Sequence, residues 1–328
     1  MRIARRRPAP LAVSPAMLLA AAAGCAALLA ALVWWRTPAV QRAHDAPAGD
    51  ATMASAYGLG GLPELRAPVS AREPAPSPLA HERLVTYYGN PYTPSMGVLG
   101  QHPPEDAADL LAQRAAALAL DGAGPVLPAL HVVYAVAQPA DGGASLQYLD
   151  DRSVRAFIDL ARRRGFVTVL DLQIGHSDPL AEVERIAPYL REPDVFVALD
   201  PEFALPGDTR PGQAIGSIDA GEINAVQAYL AALAERERLP RKVLIVHQFQ
   251  DGMITGAADI DRRDDVDLVI DMDGYGAADI KGVKYRRYAG AAYAPYGGIK
   301  VFLQHDPDPL TDAQILALQP PPRVIVYQ

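Results

Sequence analysis

The chain has a single cysteine, Cys25, in 328 residues, so no internal disulfide can form and no thiol is left for chemistry beyond that point. Tryptophan is nearly as scarce. Both copies, Trp34 and Trp35, stand together near the amino terminus, which leaves tyrosine as the large aromatic surface everywhere else. The spacings H-x-H and H-E-x-x-H are absent, and with them the most familiar sequence signatures of a zinc centre. Residues 1–36 carry five arginines and no acid, so the remainder holds 25 basic residues against 38 acidic ones, a net of −13. An acidic main body argues against nucleic acid as a partner, because phosphate binding needs basic patches. What is plentiful is apolar: half of all residues, enough for a large buried core and too much for a disordered chain.

The first apolar block sits at the amino terminus. "MRIARRRPAP" precedes "AMLLAAAAGCAALLAALVWW", and residues 16–35 match the length of a helix that spans a bilayer. Arg2, Arg5, Arg6 and Arg7 favour the cytoplasmic side, and Trp34 and Trp35 suit the far interface. The expectation is a cytoplasmic tail (1–15), an uncleaved transmembrane signal anchor (16–35) and an extracytoplasmic remainder in the cell membrane. Two alternatives stay open, a lipobox at "AAGC" with Cys25 lipidated and a cleaved secretory signal. Residues 36–82, rich in Ala and Pro without a sustained apolar period, read as a disordered linker. Part of 61–82 is a candidate to pack on the domain.

From residue 83 the pattern changes. Eight short apolar runs alternate with helical stretches: "LVTYYG", "LHVVYAVA", "FVTVLDLQ", "VFVALD", "KVLIVHQF", "DLVIDMD", "IKVFLQ" and "RVIVYQ". Continuous rather than alternating hydrophobicity means both strand faces are buried, as in parallel sheets. The helices carry their own signals. Asp219 and Glu222 form a capping-box pattern ahead of the stripe Ile223, Val226, Leu230, Leu233. Val154, Phe157, Ile158 and Ala161 form another stripe, with Gly165 as stop signal. Pro188 should break the helix around it, and the fifth helix, near "TGAADIDRRDD", looks short or irregular. Eight such units specify a (β/α)8 TIM barrel over 83–328, lacking the last helix because the chain stops at Gln328. A doubly wound open sheet is the alternative, but "YYGNPYTPSMG" after the first strand is no phosphate loop.

In such barrels reactive groups gather at the carboxyl ends of the strands. Read there, the eight strands offer Tyr87, Tyr88 and Asn90; Tyr134 and Gln138; Asp171 and Gln173; and Asp200 and Glu202. The later four offer His247, Gln248 and Gln250; Asp271 and Asp273; Gln304 and His305; and Tyr327 and Gln328. Side chains alternate across a strand, so 171 with 173, 200 with 202 and 271 with 273 share faces. If that face is the barrel interior, five carboxylates from three strands meet in one pocket. Their mutual repulsion would leave one acid protonated beside an ionised neighbour, the pairing that glycosidic cleavage uses. The competing structural reading has Asp171 holding loop amides, Asp200 and Glu202 capping a strand end, and Asp271 with Asp273 shaping a turn before Gly274.

These residues carry a resemblance to the glycoside-hydrolase-like TIM barrels of bacterial envelopes. Strand four of chitinase-type enzymes reads D-x-x-D-x-D-x-E, and on "VFVALDPE" Asp200 and Glu202 match its last Asp and its acid Glu. Val195 and Ala198 occupy the two earlier Asp positions, so half of the motif is present. Nearly all of 83–328 also resembles a group of bacterial secreted or membrane-anchored proteins, through "YYGNPYTPSMGVLGQ", "VLDLQIG", "ALDPEF", "IGSIDAGEIN", "KVLIVHQF", "LVIDMDGYG" and "VIVYQ". The resemblance implies an acid role for Glu202.

The expected function is therefore carboxylate acid/base chemistry on a cell-envelope or extracellular glycan. Glu202 would be the acid, and Asp200 or Asp171 the nucleophile or base. Tyr88, Asn90, Tyr134, Gln173, His247, Gln248, Asp271, Asp273, Gln304 and Gln328 would bind substrate, and no cofactor or metal is expected. Tyr88, Tyr92, Tyr134 and Tyr275 are candidates for a sugar-stacking floor in place of tryptophan. A metal-dependent hydrolase, with Asp171, Asp200, Glu202, Asp271 and a histidine on a divalent cation, and a non-catalytic glycan- or peptide-binding protein are the alternatives.

Overall fold

A computed structural model describes residues 76–328. The expected basic tail, the expected anchor and residues 36–75 of the expected linker lie outside the described residues. Among the described residues no helix is long and apolar enough to cross a membrane.

Eight strands, numbered here as the staves of the barrel, run parallel: β1 (Arg83–Gly89), β2 (Val126–Ala140), β3 (Val167–Gly175), β4 (Val195–Ala204), β5 (Lys242–His247), β6 (Val266–Met272), β7 (Tyr296–Val301) and β8 (Val324–Tyr327). Each pairs with its neighbours in chain order, and β1 pairs with both β2 and β8, which closes the sheet. The expected TIM barrel is thus observed.

The burial pattern explains the uniform hydrophobicity of the strands. One parity faces an inner cluster that includes Leu84, Ala129, Val133, Val169, Ala198, Ile245, Val269 and Val326. The other parity, with Leu130, Leu170, Val197, Leu244 and Ile270, packs against the helices. Those helices form as their sequences require. α1 (Pro104–Leu118) begins with two acids in its first turn, and α2 (Asp151–Arg163) starts at an Asp150 side chain that accepts from the Ser153 amide. α3 (Pro179–Arg185) stops just before the Pro188 turn. α4 (Ala220–Glu237) opens on the Asp219/Glu222 capping box. The fifth unit has only a short 3-10 turn, Ala257–Asp259, before α5 (Ala278–Tyr288) and α6 (Asp312–Leu316) complete the outer layer.

Two features go beyond the sequence reading. β2 runs on to Ala140 and folds back against the antiparallel strand Gly143–Tyr148. The turn between them places Gly142 and Gly143 at φ 83° and 119°, positions open to glycine and strained for other residues. Residues 76–82, read as linker, belong to the folded unit. Ser77 caps a helical turn, Pro78–His81, and Leu79 is fully buried in the inner core at the amino-terminal end of the barrel. Asp267 holds this plug, accepting from Ser77 Oγ at 2.6 Å and from the Leu79 amide at 3.2 Å.

Candidate active site

Strand alternation delivers an unusual set of side chains to the inner face. Thr86 and Tyr88 come from β1, His131 from β2, Asp171 and Gln173 from β3, and Asp200 and Glu202 from β4. His247 comes from β5, Asp271 and the following Asp273 from β6, and Lys300 from β7. Register keeps them level: His247 pairs with Asp271, and Asp271 with Gly298. Gly298 is what makes room. A Cβ there would stand 2.6 Å from Asp271 Oδ1 and 3.0 Å from Asp271 Cβ.

A hydrogen-bonded row crosses the barrel at this level. Thr86 Oγ1 lies 3.4 Å from His131 Nδ1, and His131 Nε2 lies 3.1 Å from Asp171 Oδ2. The same Asp171 oxygen is 3.0 Å from His247 Nε2, and His247 Nδ1 is 3.0 Å from Asp271 Oδ2 and 3.7 Å from Asp273 Oδ2. Asp171, His131, His247 and Asp271 are completely buried. Asp171 Oδ1, Asp271 Oδ1 and Asp273 Oδ1 have no protein partner.

Charge in this closed space is divided by position. Burial works against ionisation of Asp171, but His247 and the hydrogen bonds from both histidines outweigh it and hold the carboxyl well below its usual range. Burial likewise disfavours charge on His247, yet Asp171, Asp271 and Asp273 raise it well above an ordinary histidine. His131 goes the other way: burial lowers it more than Asp171 lifts it, which leaves it neutral. Nearer the mouth the acids are shifted upward. Burial lifts Asp200 well above its usual value, with Glu202, Asp273 and Asp171 adding to it. Glu202 is pushed up to about 7, by burial first and by Asp273 next, while Lys300 and His247 pull it down. Asp273 is raised as well, chiefly by burial.

Tyr88 and Lys300 sit among these carboxyls. Tyr88 meets the His131 and His247 rings edge-on, at 5.0 and 6.4 Å between centroids, and Lys300 Nζ lies 3.7 Å from the centre of the Tyr88 ring. Burial raises the Tyr88 phenol, and Asp171, Asp200, Asp273 and Glu202 raise it further. The five carboxylates expected to meet do meet. They do not line an open hollow: Asp200 is 4% exposed, Asp273 6%, and only Glu202 is half-buried.

Other expected site residues are placed elsewhere. Tyr134 points outward from β2 and packs on Tyr148 and Tyr189 beneath the helices, because it is one residue out of step with His131. Gln248 is out of step with His247 in the same way, and its Oε1 accepts from the Tyr293 hydroxyl at 3.0 Å. Gln304 is exposed on the loop after β7 and bonds Gln101. Tyr92 and Tyr275 stand at the surface, 53% and 51% exposed, so the four tyrosines share no floor. Asn90 is structural, joining the β1 end to the Val133 carbonyl and to the Tyr92 amide. Gln173 faces inward, but its Oε1 takes the Ala137 amide at 2.8 Å. Gln328 has a buried Oε1 without a partner and contributes its side chain beside Gly97. Asp171 lies too deep to touch a ligand at the mouth, which leaves Asp200 as the carboxylate next to Glu202.

His131 and Lys300 escaped the sequence reading, which looked at strand ends. The signal was available: each is a lone ionisable residue inside an otherwise apolar strand, with the parity of the inner face.

Among the described residues, the cavities outside this centre include two sizeable ones. One of about 380 Å³ opens between the ends of β3 and β4, lined in part by His176, Ser177, Ser217 and Glu222. The other, about 600 Å³, is a lateral groove between α5 and α6 with Asp279, Arg286, Asp308 and Gln314 on its walls. None of the five carboxylates lines either.

No protein-family model matches the chain, and no curated protein does. Among solved structures, it is similar to a hyperthermophilic endo-β-1,4-glucanase in complex with substrate, at 11% identity and a TM-score of 0.29 over 58% of this chain and 59% of that one. It is also similar to a GH5-4 broad-specificity endoglucanase from an uncultured bacterium, at 9% identity and a TM-score of 0.34 over 67% and 76%. The chain thus spans about three-fifths of the first of these proteins. Likeness at this level carries nothing about the site.

Proposed function

We propose that this chain is a glycoside-hydrolase-like protein that cleaves a cell-envelope or extracellular glycan with Glu202 as general acid, anchored in the cell membrane by residues 16–35 with the barrel outside the cytoplasm. The supporting observation is a half-buried carboxyl held near pKa 7 at the barrel mouth, where an acid is needed at neutral pH. Glu202 donates its proton to the glycosidic oxygen as the bond to the anomeric carbon breaks. Asp200 then supplies the second carboxylate, either attacking that carbon or taking a proton from the water that does. Burial lifts Asp200 as well, with Glu202 and Asp273 adding to it, so the two neighbouring carboxyls give up their protons in coupled steps. The Glu202 amide donates to Asp200 Oδ1 at 3.2 Å, which fixes that carboxyl and favours its charged form. Below them, the His131–Asp171–His247–Asp271 row orients the floor.

The test is release of reducing ends from envelope and extracellular polysaccharides by the wild type and by Glu202→Gln. The reading expects a loss of at least about 10²-fold with binding retained. If wild type and variant bind the same polymer and are equally inert on all of them, a non-catalytic binding protein replaces this reading. Reporter fusions after residue 36 test the anchor: activity of an extracytoplasmic reporter supports it, and activity of a cytoplasmic one overturns it.

A further inference from the structure

We infer that the centre of the barrel is a transition-metal site, in which His131 Nε2, His247 Nε2 and the Asp171 carboxylate bind one divalent cation, Zn²⁺ foremost. The three donor atoms come from three different strands and lie within 4.8 Å of one another. Two imidazole nitrogens aim at one carboxylate oxygen, at 3.1 and 3.0 Å. For both contacts to be hydrogen bonds, both Nε2 atoms must carry protons that a dication would replace.

The surroundings of each ligand fit coordination. A metal-bound histidine normally gives its other ring N–H to a carboxylate or another oxygen acceptor. His247 Nδ1 faces Asp271 Oδ2 at 3.0 Å, and His131 Nδ1 faces Thr86 Oγ1 at 3.4 Å, so both rings turn Nε2 toward Asp171. An independent observation points to a ligand as well. Asp171 Oδ1 belongs to a completely buried side chain and has no protein partner, an arrangement that is costly unless a cation or donor meets it. Two imidazoles and a carboxylate suit Zn²⁺, Co²⁺, Fe²⁺ or Mn²⁺, whereas Mg²⁺ and Ca²⁺ prefer all-oxygen sets. No H-x-H spacing announced this site because its histidines are contributed by β2 and β5.

This inference does not rest on the glycosidase reading, and the two fail separately. The full chain is purified from cells grown with added Zn²⁺ and from cells grown under chelation, and metal content and Tm are measured. The expected result is about one Zn²⁺ per chain after growth with Zn²⁺, with Tm higher than in the chelated preparation by about 5 °C or more. The double variant His131→Ala/His247→Ala should retain less than a tenth of the wild-type metal, while Glu202→Gln retains all of it. If the double variant does not fold, the metal content and Tm of the wild type decide alone. Wild-type protein with no bound transition metal and the same Tm in both preparations would mean a hydrogen-bonded row only, and so would a folded double variant with full metal content.

Discussion

Asp171 and His247 meet at 3.0 Å at the closed centre of the barrel with no exposed surface on either, and each holds the other toward its charged form against the cost of burial. Their pairing joins the β3 and β5 walls. Removing one member of such a pair strands the other charge in a dry interior. Asp171→Ala should therefore destabilise the fold by about 3–5 kcal/mol, read as a lower denaturant midpoint at unchanged m-value. A loss under about 1 kcal/mol would mean that His247 does not depend on Asp171.

Gly298 predicts a second stability effect. A methyl group at this position would overlap Asp271, the acceptor of His247 Nδ1. Gly298→Ala should cost about 2–4 kcal/mol even though it adds a single methyl to a strand that glycine otherwise weakens. An unchanged or raised Tm would show that Asp271 has room to move.

Stability should also depend on pH in a direction set by Glu202. Its ordinary value of 4.5 is raised to about 7 in the fold, so the folded state binds the proton more tightly than the unfolded chain. The contribution is fully present below about pH 4.5 and is lost as pH rises through 7. Glu202→Gln keeps the neutral form at every pH. Relative to the wild type, the variant should gain about 2 kcal/mol between pH 5 and pH 8, a figure already reduced for partial exposure. Parallel stability curves for the two proteins would contradict the raised value.

Lys300 lowers Glu202, and its charge sits against the Tyr88 ring. Lys300→Met keeps the packing and removes the charge. If Glu202 is the acid of the proposed glycosidase, the falling limb of the pH–rate profile, expected near pH 7 in the wild type, should move to higher pH in the variant. A limb that stays in place would assign it to another group.

Much of this was legible before any coordinates. Strands buried on both faces read as unbroken apolar runs, so the eight staves, their order and the parity of 171, 200, 202, 271 and 273 followed from hydrophobicity and the two-residue repeat. Pro188, the Asp219 capping box and a short or irregular fifth helix were equally plain. The site was only partly legible, for a geometric reason. Strand ends were assigned by sequence position, but a one-residue step moves a side chain from the barrel interior to the helix layer, which is how Tyr134 and Gln248 were misplaced. His131 and Lys300 are mid-strand, where a polar residue has meaning only once the opposite strands are known. Burial depth was the other hidden quantity: nothing in "VTVLDLQ" says that Asp171 lies beneath Asp200.

If the mouth acids share protons, Glu202 is still largely protonated as pH approaches 7. Titration of ¹³C-labelled glutamate side chains by NMR, in the wild type and in Asp273→Asn, tests it most directly. The expected result is a Glu202 midpoint near 7 that falls in Asp273→Asn. A Glu202 midpoint below about 5 in the wild type, unmoved by Asp273→Asn, would contradict it.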